Sequence, residues 1–327
     1  MAVVHANTSQ SYDMGDKKVY SSSADEAMPD VAKLIMNISP TDVPLMSAIG
    51  TRDCQNTIFE WLTDDLAATS TTADVEADAT TRVAITHATR QSNICQIMSR
   101  NASVSGTQAK IGIYGKSEGQ LAYQLTKRSK ELKRSMEAVL LSNQARNNGA
   151  SGTARTTATI GSWLHTNTSF DATSGADPTT PGSNARTDSS AQRNLDATLI
   201  NTVAQSCYTN GAEPDMLLVG PHNKTVVSTL TGRGIAREII DSDRAGANVS
   251  VFATDFGDLA VKIDRHQRER DAFLIDSTML KVAYLRQFET TRLGTVGDEE
   301  TAVIRCEFGL EVTEEAGLGG IFDLTTS

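Results

Sequence analysis

Gly115-Lys116-Ser117, with a helical pattern directly behind it, carries the residue types that close a phosphate-binding loop. Such a loop needs two glycines in the spacing G-x-x-x-x-G-K-[ST], so that backbone N–H groups can wrap the phosphates. Five places before Gly115 stands Lys110, and the nearest glycine, Gly112, comes two residues too late. The motif is broken, and a nucleotide-binding enzyme is the weakest of the functions considered. The other chemistry-bearing residues are dispersed. Cys54, Cys95, Cys207 and Cys306 form no C-x-x-C pair, which excludes a thiolate zinc motif and reads as small buried hydrophobes. His5, His87, His165, His222 and His266 belong to no H-E-x-x-H or E-x-x-H pair, and no G-x-S-x-G is present. The sequence therefore predicts no catalytic residue, no bound metal and no cofactor.

Charge is distributed more informatively than it sums. The net charge of −10 disfavours non-specific DNA binding by the chain as a whole. Between residues 64 and 81, Asp64, Asp65, Asp74, Glu76 and Asp78 occur without a base. Residues 127–134, "KRSKELKR", hold five bases, Lys127, Arg128, Lys130, Lys133 and Arg134, against one acid. A second basic run, "RHQRER" at 265–270, reads as a solvated loop between two strands, with DNA as the alternative contact.

These groups must be held by the surrounding elements. The chain has 327 residues, enough for one large or two modest globular units, and 39% hydrophobic residues against 21% charged is ordinary for a globular protein. The first 18 residues lack a basic segment followed by an apolar one, and no run of eighteen apolar residues occurs, so a cytoplasmic site of synthesis without a membrane span is expected. Residues 1–54 read as an arm, with a short helix over 28–37. Residues 55–98 read as a projecting hairpin: Thr57, Phe59 and Trp61 share one face of its first limb, and its tip is small, polar and acidic. A long helix over 117–147 follows. Ser117 and Gln120 suggest a capping box, Leu121, Leu125, Leu132, Met136 and Leu140 form one stripe, and Asn147-Asn148-Gly149 is the stop. At 1.5 Å per residue that helix would be about 43 Å long.

Residues 148–190 are rich in Gly, Ser, Thr and Ala and read as a surface excursion anchored by Ile160, Trp163 and Leu164. A compact α/β section comes next. It comprises a helix capped by Ser189 and Gln192 and ended by Asn210-Gly211, a strand at "MLLVG", a helix opened by Pro221, and strands at "LAVKI", "AFLID" and "LKVAYL". Ile304, Cys306, Phe308, Leu310 and Val312 alternate strictly with Val303, Arg305, Glu307, Gly309 and Glu311, a long strand with one dry and one wet face.

Arm, hairpin, long helix, α/β insert and closing strand, in that order, resemble the major capsid proteins of tailed double-stranded DNA phages. The residues that carry the resemblance are "QSNICQIMSRNASVSGTQAKIGIYGKSEGQLAYQLTKRSKELKRSMEAVLL", "DFGDLAVKIDRHQRERDAFLID" with "LKVAYLR", and the ending "EFGLEVTEEAGLGGIFDL". The resemblance implies an α+β fold of the Hong Kong 97 type. Residues 1–54 would be the N-terminal arm and 55–98 the E-loop. Residues 99–189 would form the peripheral domain with spine helix 117–147, 190–295 the axial domain, and 296–327 a strand returning to the peripheral domain. It implies a non-enzymatic shell protein that assembles with itself into pentamers and hexamers, in the host cytoplasm first and the virion finally. Packaged double-stranded DNA would be a weak partner; scaffolding, portal and decoration proteins are further ones. No cleaved scaffolding segment fits before the arm, so scaffolding would come from elsewhere or be unnecessary. A nanocompartment shell of encapsulin type shares the fold and is the alternative container. In this fold the hairpin lies across a neighbouring subunit, so the five tip acids would face the five helix bases next door.

Overall fold

The computed structural model describes residues 41–64, 66, 69, 71, 73, 76, 85, 87–111, 119–230, 235–236, 251–294 and 297–326. The expected helix at 28–37, the Gly115-Lys116-Ser117 turn, and Asp65, Asp74 and Asp78 lie outside the described residues. Along the chain come helix α1 (Pro44–Ala48), strands β1 (Gly50–Asp53), β2 (Ile58–Thr63), β3 (Thr89–Ile94) and β4 (Gln96–Ser105), then helices α2 (Gly106–Lys110) and α3 (Gln120–Leu140). After α4 (Ile160–Trp163), β5 (Thr168–Ser169) and α5 (Ala197–Thr209) follow β6 (Met216–Val219), α6 (Pro221–Thr229), β7 (Ile235–Ala236), β8 (Val251–Thr254) and β9 (Gly257–Ile263). Strands β10 (Ala272–Ile275), β11 (Leu280–Arg292), β12 (Glu299–Val312) and β13 (Gly319–Ile321) complete the order.

Strand β12 is the centre of a four-stranded sheet in the order β1-β11-β12-β4, antiparallel to both of its neighbours. Helix α3 lies on this sheet because Leu132, Met136 and Leu140 recur every four residues and are fully buried. It is shorter than the sequence predicts. It starts at Gln120 behind Gly119, whose φ of 90° suits only glycine well, so Gln120 is the first helical residue and not the third; Ser117, the expected cap, lies outside the described residues. It ends at Leu140, not at 147, giving about 31 Å. Tertiary partners outbid another two turns. Asn143 exchanges hydrogen bonds with the Arg186 backbone at 2.7 and 2.9 Å, and the Gln144 N–H donates to Thr159 Oγ1 at 3.0 Å.

The expected wet face of β12 is also corrected. Glu307 and Glu311 are only 5% and 3% exposed. Glu307 accepts from Arg286 Nε at 2.9 Å and lies 3.5 Å from Arg155, and Glu311 pairs with Arg52. The hairpin covers this face: a Cβ on Gly309 would come within 2.5 Å of the Phe59 ring. Alternation along a strand reports polarity, and polar residues with buried partners need no water.

The second sheet has seven strands in the order β5-β13-β10-β6-β9-β8-β7. Strands β6 and β10 are apolar throughout because both faces are covered. Met216, Leu218, Phe273 and Ile275 join the core under α3, whereas Leu217, Val219, Ala272 and Leu274 join a second core with α5 and α6. Helix α5 begins later than Ser189 suggests, because the Ser189 N–H is already held by Asp323; Asp196 is the N-cap, and its carboxylate accepts from the Ala197 N–H. Its far end, with Asn210 as cap and Gly211 at φ 85°, is as read from the sequence. Where α5 crosses β13, Gly319 permits the approach: a Cβ there would sit 2.5 Å from Val203 Cγ1 and 2.9 Å from Cys207 Sγ. Gly319→Ala should lose about 1–3 kcal/mol to overpacking, read as a lower urea midpoint at unchanged slope.

Residues 148–190 are more than a surface excursion. Thr157, Ala158, Thr159, Ile160, Ser162 and Leu164 are fully buried, and Trp163 packs against Trp61 with ring centroids 5.5 Å apart and planes tilted by 49°. Short hydroxyl side chains make that burial possible: Thr159 Oγ1 donates to Ser142 O at 2.6 Å, and Ser162 Oγ accepts the Thr159 N–H at 3.1 Å.

Candidate functional site

The hairpin is docked at its base, and its described residues farther out are exposed. Strands β2 and β3 pair antiparallel from Ile58↔Ile94 to Thr63↔Thr89. Phe59 and Trp61 turn inward, Phe59 stacking on Trp61 and Trp61 meeting Trp163, and Ile94 and Cys95 are buried as well. Asn93, fully buried, ties the base to two other segments. Its Nδ2 donates to Ala158 O and Leu310 O at 3.1 and 2.6 Å, and its Oδ1 accepts from the N–H groups of Ala158 and Ile94 at 2.9 and 2.8 Å. The expectation of a projecting hairpin is thus wrong for its base, which is packed on the chain's own body. Farther out it holds: Leu62, Ile85 and Leu66 are 65%, 80% and 99% exposed.

Of the tip acids, Asp64 and Glu76 are described, both are exposed, and neither forms an ion pair among the described residues. The helix bases do not form one uniform patch. Lys127 and Lys130 are exposed. Arg128 pairs with Glu131 one turn on at 2.7 Å, and Lys133 places its ammonium 5.6 Å from the Phe288 ring centroid. Arg134 is half-buried and lines a shallow cleft of about 450 Å³ with Arg100, Ser135 and His266.

The 265–270 run is not a solvated loop, nor are its inward bases open to DNA. Arg268 pairs with Asp188 and lies 3.1 Å from Asp271; Arg270 lies 3.0 Å from Asp323. Nearby, Arg186 pairs with Asp177 while its guanidinium stacks 3.5 Å from the Phe322 ring centroid and 4.9 Å from that of Phe170. Burial pushes the Asp271 carboxyl up to about 7 against the pull of Arg268. These pairs clasp the 170–193 segment, the β9–β10 loop and the C-terminal end together. The cysteines are not all far apart: Cys54 Sγ and Cys95 Sγ are 3.4 Å apart at the hairpin base, and burial raises both thiols, which leaves them un-ionised at neutral pH.

Among the described residues, no group of three or more His, Cys, Asp or Glu could hold a metal ion, and no helix is long and apolar enough to cross a membrane. What the arrangement offers is surface: a hairpin anchored at its base, with Leu62, Asp64, Leu66, Glu76 and Ile85 exposed beyond it, and a helix with exposed lysines.

A family model for SU10 major capsid protein matches residues 6–325. The chain belongs to that family. This capsid protein is 36% identical over 137 residues to the major capsid protein of Escherichia phage Phieco32, a match that takes in 42% of the chain and 36% of that relative's length. Its fold is that of solved phage capsids. The capsid of a native GTA particle aligns with a TM-score of 0.65 at 12% identity, covering 93% of this chain and 98% of the other. Cyanophage P-SCSP1u gives 0.60 at 11% identity over 93% and 94%. Microbacterium phage Oxtober96 gives 0.58 at 13% over 90% and 96%.

Sequence reasoning missed two positions that organise this capsid protein. Asn93 carries no signal beyond being a polar residue in a strand. Glu137 sits beside Met136 on the buried side of α3, and an acid next to an apolar stripe was the available hint.

Proposed function

We propose that the chain is the shell-forming protein of a phage virion, assembling with itself into the pentamers and hexamers of an icosahedral capsid around double-stranded DNA. The observation that carries this reading, beside family membership, is the hairpin: its base is fixed by Phe59, Trp61 and Asn93, while Leu62, Leu66 and Ile85 stand in solvent. A large exposed apolar side chain on an extended ribbon is costly to leave bare in repeated copies and is covered when a second copy lies under it. In this reading residues 1–54 are an arm, 55–98 an E-loop, 99–189 a peripheral domain, 190–295 an axial domain and 296–327 the returning strand. DNA contact is weak and non-specific, as a net charge of −10 and the inward pairing of Arg268 and Arg270 require.

The tip acids Asp64, Asp65, Asp74, Glu76 and Asp78 then meet exposed bases of the neighbour's spine, chiefly Lys127 and Lys130. One exposed pair is worth only about 0–1 kcal/mol, so the effect comes from repetition around a closed shell. Purified protein should appear as rings or closed shells by size-exclusion chromatography and negative-stain microscopy; a 35.0 kDa monomer under all conditions refutes the shell reading. Charge reversal of Asp64, Asp74 and Asp78 to Lys should impair assembly at low salt. Unchanged shells would leave the container role standing and remove the acid–base register.

A further inference from the structure

Two thiols meet at the root of the hairpin. Cys54 directly follows β1, Cys95 lies between β3 and β4, and their sulfurs are 3.4 Å apart although the residues are 41 positions apart in the chain. Backbone hydrogen bonds hold each of them in place. The Cys54 N–H donates to Tyr284 O at 2.9 Å, which fixes it to β11, and the Cys95 N–H donates to Thr57 O at 2.8 Å, beside the start of β2. A disulfide needs its sulfurs at about 2.05 Å, so closing the gap takes about 1.4 Å of movement shared between two side chains.

The two thiols differ in access. Cys95 is fully buried, whereas Cys54 is partly exposed and lines an open cleft of about 580 Å³ with Arg52, Asp53, Asn56 and Phe59. An oxidant therefore meets Cys54 first, and Cys95 only through it. Cys207 and Cys306 are fully buried elsewhere, on α5 and β12.

We propose that Cys54 and Cys95 form an internal disulfide site, which on oxidation closes the hairpin into a ring and ties the β3–β4 junction to the end of β1. The step balances with a small-molecule disulfide such as oxidised glutathione as oxidant. The Cys54 thiolate attacks one sulfur of the oxidant, forming a mixed disulfide and releasing one thiolate. The Cys95 thiolate then attacks Cys54 Sγ, forming the internal bond and releasing the second. Two protein thiols are oxidised, one disulfide is reduced to two thiols, and these take up the two protons. Burial raises the Cys54 thiol, against the pull of the Cys95 hydrogen bond and of Arg52, so thiolate is scarce at neutral pH and the site closes slowly. Reducing thiols in a cytosol keep such a pair open, and oxidising surroundings outside the cell let it close. The inference goes beyond the shell reading and does not depend on it, since both cysteines lie in one chain.

Thiol counting on the full-length protein, free or assembled, tests it. After incubation with oxidised glutathione at mildly alkaline pH, thiols titrated in denaturant should fall from four to two, without a dimer on a non-reducing gel, and a peptide map should join Cys54 to Cys95. The melting temperature should rise by roughly 3–6 °C and fall back on reduction, because the cross-link closes a long loop in the unfolded chain. Cys54→Ser leaves Cys95 without its partner, so this variant should keep its remaining thiols and show no such rise. Four thiols remaining in the wild type, or Cys54 stalled as the glutathione mixed disulfide, overturns the site whether or not the variant folds. An internal bond that leaves the melting temperature unchanged overturns the tie between the β3–β4 junction and β1.

Discussion

Asn93→Leu should undock the hairpin base and cost at least about 3 kcal/mol. Leucine fills nearly the same volume, so what is lost is hydrogen bonding and not packing. It leaves Ala158 N–H, Leu310 C=O and Ile94 N–H without the amide that serves them at 2.9, 2.6 and 2.8 Å, in a region closed to water. Each orphaned buried group costs about 1–3 kcal/mol. The chain's two tryptophans provide the readout: Trp61 rides on the hairpin, Trp163 on the segment beneath it, and their ring centroids are 5.5 Å apart. Their fluorescence should change at a lower urea concentration in the variant than in the wild type, ahead of far-ultraviolet loss from the helices. Coincident midpoints in the two proteins would show that Asn93 contributes nothing to the anchor.

How much of this was legible in the sequence depends on whether a signal is local. Strict alternation found β12, the apolar runs at 216–219 and 272–275 found β6 and β10, and Asn210-Gly211 marked the end of α5. Each rests on neighbours within one element. The misreadings all involve partners far along the chain. Glu307 and Glu311 look wet until Arg155, Arg286 and Arg52 are brought to them. The end of α3 was misplaced because Asn143 and Gln144, compatible with helix, are claimed by Arg186 and Thr159. Composition made 148–190 a loop, although Thr and Ser can carry their own hydrogen bonds into a core, as Thr159 and Ser162 do. The candidate contact surface was legible as charge alone. Which bases remain available was decided by Glu131 and Phe288, which the run "KRSKELKR" does not reveal.

Asp323→Ala should destabilise the protein by about 3–5 kcal/mol, the range for removing one partner of a buried ion pair. The carboxylate is 1% exposed and binds three groups: the Ser189 N–H at 2.8 Å, the Asp171 N–H at 3.3 Å and Arg270 at 3.0 Å. Without it the 170–193 segment loses its tether to the C-terminal end, and Arg270 keeps its charge with less to balance it. The backbone adds to the loss. Asp323 has φ of 59°, a left-handed conformation that Asp and Asn tolerate and alanine resists. For a chain of this length the melting temperature should fall by roughly 4–7 °C. Asp323→Asn separates the causes, since it retains an acceptor and the backbone tolerance and removes only the charge. It should lose clearly less than alanine if hydrogen bonding and backbone dominate. Equal losses would assign the clasp to the Arg270 ion pair. A melting temperature unchanged in both would mean that the three bonds to Asp323 hold nothing together.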